Sequence, residues 1–423
     1  MENIFALTTQ ELKEIANCLQ TRIDEGLKEK EKEILAVPTY ITPKKEIPDG
    51  KVLALDWGGT NFRAAVVEFK NGKPTINKAI ITKLKNENGK IEIDKIEEAD
   101  NKPYLEMATL RLSAIETKGF TQEKLFEAMA NTICFIKKLD KSVTNIGYCF
   151  SYPAFSLLNG DATLSHWAKG IDIKDMVKQS VGEPLMKYLN THKDINAEFT
   201  NIKVINDTVA CLFAGLSEKG YDTYIGLIVG TGTNMASLMR KDKIEKLNDK
   251  DEFLIPVNLE SGNFNPPYLT IVDGLIDAMT NNKGEHQFEK AISGGYLGEI
   301  FKTIFLHNKI KYNFDGSDLS NIIDKNTDNY SAEQVQAAHW IVERSAKLVA
   351  ASIAGLAQVL VTHDPSVKKI GLAADGSVFW LTPNYKQMVE EELKILLPNG
   401  INVETLPEMT DPNLIGSAIA ALS

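Results

Sequence analysis

Two widely separated stretches of this 423-residue chain are built on one plan. Val52-Leu53-Ala54-Leu55-Asp56 leads into Trp57-Gly58-Gly59-Thr60-Asn61, and Phe62 to Phe69, rich in Ala and Val, leads out again. Far downstream, Tyr224 to Val229 leads into Gly230-Thr231-Gly232-Thr233, and Met235 to Arg240 leads out. Each reads as a buried strand, a glycine turn and a partner strand, the pattern of a β-hairpin. Two such units in one chain predict an ancient internal duplication rather than a short-period solenoid. The length is too great for one ordinary core, so two domains are expected.

The remaining segments fill in the plan. Thr8 and Glu11 form a capping box, and Leu12, Ile15, Ala16, Leu19, Ile23 and Leu27 fall at helical spacing, so the chain opens with an amphipathic helix packed on the body. Lys28 to Glu33 alternates in charge, as a solvated face does. Pro38, Pro43 and Pro48 mark an irregular segment. Residues 70–98 read as polar, lysine-rich and short-stranded, Gln122 to Leu139 as a helix and Val143 to Phe150 as a buried strand. Val204-Ile205 precedes Asn206-Asp207-Thr208, and Val209 to Leu216 continues as a helix. Ser331 and Gln334 cap a long helix reaching Val361. The apolar strand Lys369 to Ala373 ends in Ala374-Asp375-Gly376-Ser377. No Gly/Ser linker interrupts the chain, so hinges are expected near Pro48 and Asn206.

Composition removes several function classes. With 43% hydrophobic and 25% charged residues the chain has the balance of a soluble globular protein. No stretch reads as long and apolar enough to span a bilayer, and the opening Glu2-Asn3 lacks the basic and apolar regions of a secretory signal. A net charge of −10 without a long Lys/Arg run argues against nucleic acid as a partner. Cys18, Cys134, Cys149 and Cys211 lie far apart with no C-x-x-C pair, which disfavours a zinc site and a disulfide framework. A reducing cytoplasm is the expected setting.

The glycine turns carry the chemistry. A phosphate chain needs N–H donors and close backbone approach, and glycine permits both. The first turn adds the carboxylate of Asp56, which can orient hydrated Mg²⁺. Either turn alone is also what an ordinary hairpin looks like; two of them, each ending a buried strand, are harder to dismiss. A Rossmann reading fails, because Gly230-Thr231-Gly232 lacks the third glycine and runs on into a strand, and no Walker A lysine motif is present. The acidic net charge is no bar to ATP, since backbone N–H groups, local cations and Mg²⁺ set the field at the phosphates.

Taken in order, these segments resemble the hexokinase family of the actin-like ATPase fold. Leu53 to Arg63 resembles its first phosphate motif, Cys149-Phe150-Ser151-Tyr152-Pro153 its sugar loop, and His166-Trp167-Ala168-Lys169-Gly170 follows at the family's distance. Asn206-Asp207-Thr208-Val209 resembles the catalytic motif, and Ile225 to Asn234 the second phosphate motif. Phe288 to Glu299 is close to another family block, and Gly371 to Ser377 looks like the adenosine motif. The likeness runs from about Pro38 to the C-terminus.

The resemblance implies an α/β, two-lobed actin-like ATPase (ribonuclease H-like) fold with a cleft between a small and a large domain. The small domain would be 50–205, with a contribution from the closing helix 414–423, and the large one 1–49 with 206–413. It implies transfer of the γ-phosphoryl of ATP to the 6-hydroxyl of a hexose, glucose first, feeding glycolysis. A hydroxyl is a poor nucleophile until its proton has somewhere to go, and the motif makes Asp207 the general base; its plainer reading is a helix cap. Lys169 would bring a cation to the sugar and the transferred group, against the reading of a surface lysine. Ser151, Lys169, Asn206, Asp207, Asn234, Glu260 and Glu289 would hold the hexose, whose hydroxyls suit carboxylates and amides. Asp56, Gly58, Gly59, Thr60, Asn61, Arg63, Thr231, Gly232, Thr233, Gly376 and Ser377 would hold ATP, with Asp56 and Asp207 facing Mg²⁺ through water. Trp57 and Trp167 read as packing, and His166 has no partner set that suggests a metal.

Three departures from the family stand out. Ala168 replaces a threonine whose hydroxyl serves the sugar, Ser261 replaces a tryptophan in Val257-Asn258-Leu259-Glu260-Ser261-Gly262, and the last block, Leu414 to Ala421, is short. Two alternatives remain beside the hexokinase reading. One is another sugar kinase of the same fold; its zinc-bearing members are disfavoured because their cysteine cluster is missing. The other is a hexokinase-like protein that binds sugar or ATP and regulates without turnover, against which Asp56, Asp207, Thr231 and Gly232 are all present. The expected partners are a hexose and ATP, with no nucleic acid and no membrane.

Overall fold

The computed structural model describes residues 2–76, 80–87, 90–98, 107–136, 139–305, 314–324 and 329–423. The chain divides into two compact units, Met1–Ala36 with Gly220–Glu408, and Val37–Lys219 with Met409–Ser423. We call them by the glycine turn each contains: the second-turn unit and the first-turn unit. All three boundaries differ from those read in the sequence. Residues 37–49, 206–219 and 409–413 go with the first-turn unit, in which the helix that begins at Asp207 packs on the closing helix. Gly416 of that closing helix lies so close to the carbonyl of Ala210 that no Cβ fits there.

The chain opens with α1 (Thr9–Lys28), part of the second-turn unit. Its capping box is formed: Glu11 N donates to Thr8 Oγ1 at 3.3 Å, and Thr8 N donates to Glu11 Oε2 at 2.7 Å. All six apolar positions expected to face inward are buried.

The first-turn unit follows. Its sheet contains β1 (Gly50–Trp57), β2 (Asn61–Lys70), β3 (Met107–Arg111), β4 (Asn145–Phe150) and β5 (Asn201–Ile205), in the order β5-β4-β1-β2-β3. The strands Ile80–Glu87 and Lys90–Glu98 extend the sheet beyond β3. They are longer than the short strands expected of residues 70–98; residues 77–79 and 88–89 of that stretch lie outside the described residues. Helix α2 (Gln122–Ile133) ends short of the expected Leu139. Residues 137–138 of that expected helix lie outside the described residues. β1 and β2 form the expected hairpin, with Asp56 opposite Arg63 and Trp57 opposite Phe62. β4 runs parallel to β1, and β5 parallel to β4, so that Asp56, Cys149 and Ile205 stand in one row. Ser151 and Asn206-Asp207 therefore leave the sheet at the carboxyl ends of neighbouring parallel strands, where open α/β sheets hold their ligands. Trp57, Phe150, Tyr152 and Trp167 form an aromatic cluster behind this edge, with centroid separations of 5.0–6.1 Å. Both indole N–H groups donate to backbone carbonyls, of Leu112 and Ile173, which bears out packing as their role. Helix α3 (Asp207–Gly215) completes this stretch.

The second-turn unit repeats the arrangement. Its sheet contains β6 (Thr223–Val229), β7 (Thr233–Arg240), β8 (Leu254–Asn258), β9 (Lys369–Asp375) and β10 (Asn402–Thr405), and its order includes β8-β7-β6-β9-β10. β6 and β7 are the antiparallel hairpin, and β9 runs parallel to β6, with Ile228 opposite Asp375. Helices α4 (Ile271–Met279), α5 (Gln287–Ile292), α6 (Gly294–Ile304) and α7 (Ala332–His363) contribute to the rest of the core. α7 carries the expected Ser331/Gln334 capping box and crosses α1 where Gly355 meets the Ala16 carbonyl too closely for a Cβ. It corrects one expectation. By length and hydropathy α7 is long and apolar enough to cross a bilayer, but 78% of its apolar window is buried inside the protein. It is the core helix of its unit, and its apolar surface is already used. The closing helix, α8 (Pro412–Leu422), returns to the first-turn unit.

Candidate active site

The first turn is served by cations. Gly59 takes φ +130°, a conformation open to glycine, and a Cβ there would meet Lys169 Cδ at 2.9 Å. The Lys169 ammonium donates to the carbonyls of Gly58, at 2.7 Å, and Ser151, at 2.8 Å, and lies 5.3 Å from the Tyr152 ring centroid. It thereby ties the turn to the loop after β4. Lys169 itself sits at φ 56°, and its side chain remains exposed. Ser151 is buried, and its N–H donates to Trp57 O. Gly58, Thr60 and Asn61 are exposed, and the backbone N–H groups of Gly58, Gly59 and Thr60 have no partner among the described residues. Those are the open donors of this turn.

Asp56 lies behind them, 4% exposed. Its Oδ2 accepts from both Arg63 Nε, at 2.9 Å, and Arg63 Nη2. Arg63 Nη1 donates to Asp411 Oδ1 at 2.9 Å, and Asn413 Nδ2 reaches Asp56 Oδ1 at 3.3 Å. Burial works against the Arg63 charge, but the Asp56 carboxylate outweighs it and holds the guanidinium above its ordinary range. The expected phosphate cation is therefore engaged by two carboxylates, and its fork orients Asp56. Asp411 and Asn413 had no signal in the sequence beyond the short closing block.

Asn206 and Asp207 start α3. The cap is Asn206, whose Oδ1 accepts from Thr208 N at 2.8 Å, leaving its amide nitrogen for another acceptor. Asp207 occupies the first helical position. Its Oδ1 also accepts from Thr208 N, at 2.8 Å, while its Oδ2 has no hydrogen bond to a described residue. Asp56 and Asp207 both bear on one buried thiol: burial first, then the charges of Asp56 and Asp207, push Cys149 well above its ordinary range.

The second turn is served differently. The N–H groups of Gly294 and Gly295, at the start of α6, donate to the carbonyls of Gly230, at 2.8 Å, and Thr231, at 3.1 Å. Thr233 Oγ1 donates to Ile228 O, and Thr233 N donates to Glu289 Oε2 at 3.0 Å. Gly232 has Glu289 Oε2 where a Cβ would stand, at 2.6 Å. The N–H groups of Thr231 and Gly232 have no partner among the described residues. Gly376, at φ +111°, packs on this turn; a Cβ there would fall on the Val229 carbonyl. Ser377 beside it is exposed.

The hexose candidates of this unit form a chain of hydrogen bonds. Asn234 Nδ2 donates to Asn258 Oδ1 and Asn258 Nδ2 to Glu260 Oε1, each at 2.7 Å. Asn258 is a further residue the sequence reading missed; its position on β8, two before Glu260, was the available signal. Glu260 stands at φ 56°, outside the usual region for a non-glycine residue. Ser261, at the family's tryptophan position, is 1% exposed. Its N–H donates to Asn234 Oδ1, and its hydroxyl has no partner among the described residues. Ala168 is half-buried and accepts from Ile171 N.

The donor set suits hydrated Mg²⁺. Among the described residues no group of three or more His, Cys, Asp or Glu could hold a metal on its own. Mg²⁺ is ordinarily bound through one or two carboxylates, substrate phosphates and its own waters, not by a protein cage. Asp56 Oδ1, with only a long amide contact, and Asp207 Oδ2 are the oxygens that fit.

Comparison with known proteins shows the family of the chain. Two family models described as hexokinase match residues 1–216 and residues 224–334 and 317–423. Hexokinase-2 of Schizosaccharomyces pombe is 26% identical over 99% of this chain and 95% of its own length. The structure of hexokinase from Schistosoma mansoni complexed with glucose superposes with a TM-score of 0.75 at 23% identity, covering 99% of this chain and 96% of that one. A ROK family glucokinase from Streptomyces griseus, in complex with glucose and AMPPNP, gives 0.50 at 16% identity, over 88% of this chain and 99% of that one. The solved structures share the actin-like α/β fold, and with the family models covering nearly the whole sequence the chain belongs to the hexokinase family.

Proposed function

We propose that this enzyme transfers the γ-phosphoryl of ATP to the 6-hydroxyl of a hexose, glucose first, with Asp207 as general base. The observation that carries the reading is the Asp207 carboxylate, anchored through Oδ1 to the first turn of α3, with Oδ2 left for the substrate proton. The hydroxyl oxygen forms the bond to the γ-phosphorus as its proton passes to Asp207 and the bond to ADP breaks. The Lys169 ammonium supports charge at the reacting group, and each glycine turn offers open N–H groups that suit phosphate oxygens. Bound Mg²⁺ would neutralise charge on the phosphates; Asp56 and Asp207 would hold it through its waters. We also propose a glycolytic role in the cytoplasm; the wide spacing of the four cysteines, with no C-x-x-C pair, supports the location, and a fluorescent fusion tests it.

The test is Asp207→Ala. General-base catalysis contributes about 10²–10⁴ in rate. The variant should keep its fold and measurable hexose binding and lose that much kcat in a coupled ADP-release assay run across glucose, mannose, fructose and glucosamine. Retention of more than about a tenth of kcat would leave Asp207 a purely structural residue of the helix start. No ADP release by the parent enzyme with any hexose would favour the regulatory sugar- or ATP-binding reading.

A further inference from the structure

We propose that Glu289 couples the hexose to the nucleotide, one carboxylate serving both substrates. This rests on the reading above, in which Glu289 meets a hexose hydroxyl and the second turn meets phosphate. Glu289 Oε2 accepts from the backbone N–H of Thr233, inside the phosphate turn, at 3.0 Å. Its Oε1 has no hydrogen bond to a described residue and is the oxygen left for the sugar. A carboxylate bonded at both ends holds its position, so a hexose on Oε1 fixes the turn that must cradle the phosphates. A fixed turn in its turn presents Oε1 to the hexose.

The surroundings keep Glu289 from drifting. Its neighbour Lys290 is 1% exposed and donates to Asp277 Oδ1, at 2.7 Å, and to Asn282 O, at 2.8 Å. Asp277 also accepts from Gln287 Nε2 and Gly284 N, which folds residues 277–290 into one hydrogen-bonded loop. The short helix α5 is thus fastened immediately beside Glu289. On the other side, Gly262 packs against Thr233 O and Glu289 Cβ. Only the carboxylate end can move, and glycine at 232 leaves it room to lie on the turn.

That geometry supplies a test which does not touch the sugar shell. Gly232 has no positive φ, so alanine suits its backbone, and the added Cβ would meet only the end of the Glu289 side chain. Gly232→Ala should therefore fold normally and push the carboxylate off Thr233 N. Coupling must be reciprocal. In the parent enzyme glucose should tighten AMPPNP binding, and AMPPNP should tighten glucose binding by the same factor, both read by calorimetry. In Gly232→Ala that factor should fall towards one. Glucose binding without nucleotide should also weaken by about tenfold to a hundredfold, the loss of one hydrogen bond to a charged group. Thermal denaturation checks the fold. Unchanged glucose affinity in folded Gly232→Ala, or an undiminished coupling factor, overturns the proposal. A parent enzyme that binds no hexose overturns instead the functional reading on which it rests.

Discussion

The two glycine turns look alike in sequence and are held in opposite ways. In the first, side-chain cations serve carbonyls and a carboxylate: Lys169 on Gly58 O and Ser151 O, Arg63 on Asp56. In the second, backbone N–H groups serve the carbonyls, through Gly294 and Gly295, and a side-chain carboxylate serves an N–H, through Glu289. The first turn is exposed and relies on charge, which acts over distance and tolerates small shifts. The second is wedged among Gly376, Gly294 and Gly316, where a Cβ at Gly294 would meet Gly230 O and one at Gly316 would meet Gly294 O, each at 3.0 Å. Steric contact is unforgiving on a scale of tenths of an ångström. One sequence pattern therefore yields a turn tuned electrostatically and a turn fixed by packing.

Breaking the packed turn should have the largest effect. Gly376→Ala places a Cβ on the Val229 carbonyl and forces alanine to φ +111°. Overpacking of this kind costs about 1–3 kcal/mol and the backbone conformation about 1–2 more, so a loss of about 2–5 kcal/mol is expected. Urea denaturation measures it; a loss below about 1 kcal/mol would mean that the turn yields easily. Breaking the charged turn should affect rate more than stability. Lys169→Met removes an exposed cation, so stability should change by less than about 1 kcal/mol. kcat should nevertheless fall about a hundredfold, the scale of one lost electrostatic donor at the reacting group. A stability loss equal to that of Gly376→Ala would erase the contrast between the turns.

The smallest effect sharpens the comparison within the first-turn unit. Ala168→Thr would restore the hydroxyl that the family places next to Lys169. One hydrogen bond contributes about 0.5–1.5 kcal/mol net, or roughly a two- to tenfold change in affinity. KM for glucose should drop by that factor with kcat nearly unchanged, since the contact is equal in ground and transition states. An unchanged or higher KM for every hexose tried would show that residue 168 does not face the sugar.

The sequence by itself determined the elements around the motifs and their order. The hairpin at Asp56–Arg63, the capping boxes at Thr8 and Ser331, the six inward positions of α1 and the row of motifs were all legible, because they depend on local spacing of apolar, capping and glycine residues. Only the tertiary structure decided what those motifs touch. Arg63 reads as a phosphate cation, and only the structure shows Asp411, 348 residues away along the chain, on its third nitrogen. Asn206 reads as a sugar ligand, and only the structure shows that its oxygen caps α3 and leaves the amide nitrogen; Asp207 reads as the cap that Asn206 is. α7 reads as an ordinary capped helix, and only its burial decides between a core and a membrane span. Glu289 on Thr233 N, and the chain from Asn234 through Asn258 to Glu260, join residues from different elements. Such contacts follow from register and packing across the whole unit, which no local spacing encodes, and they decide which polar atoms are left open for a substrate.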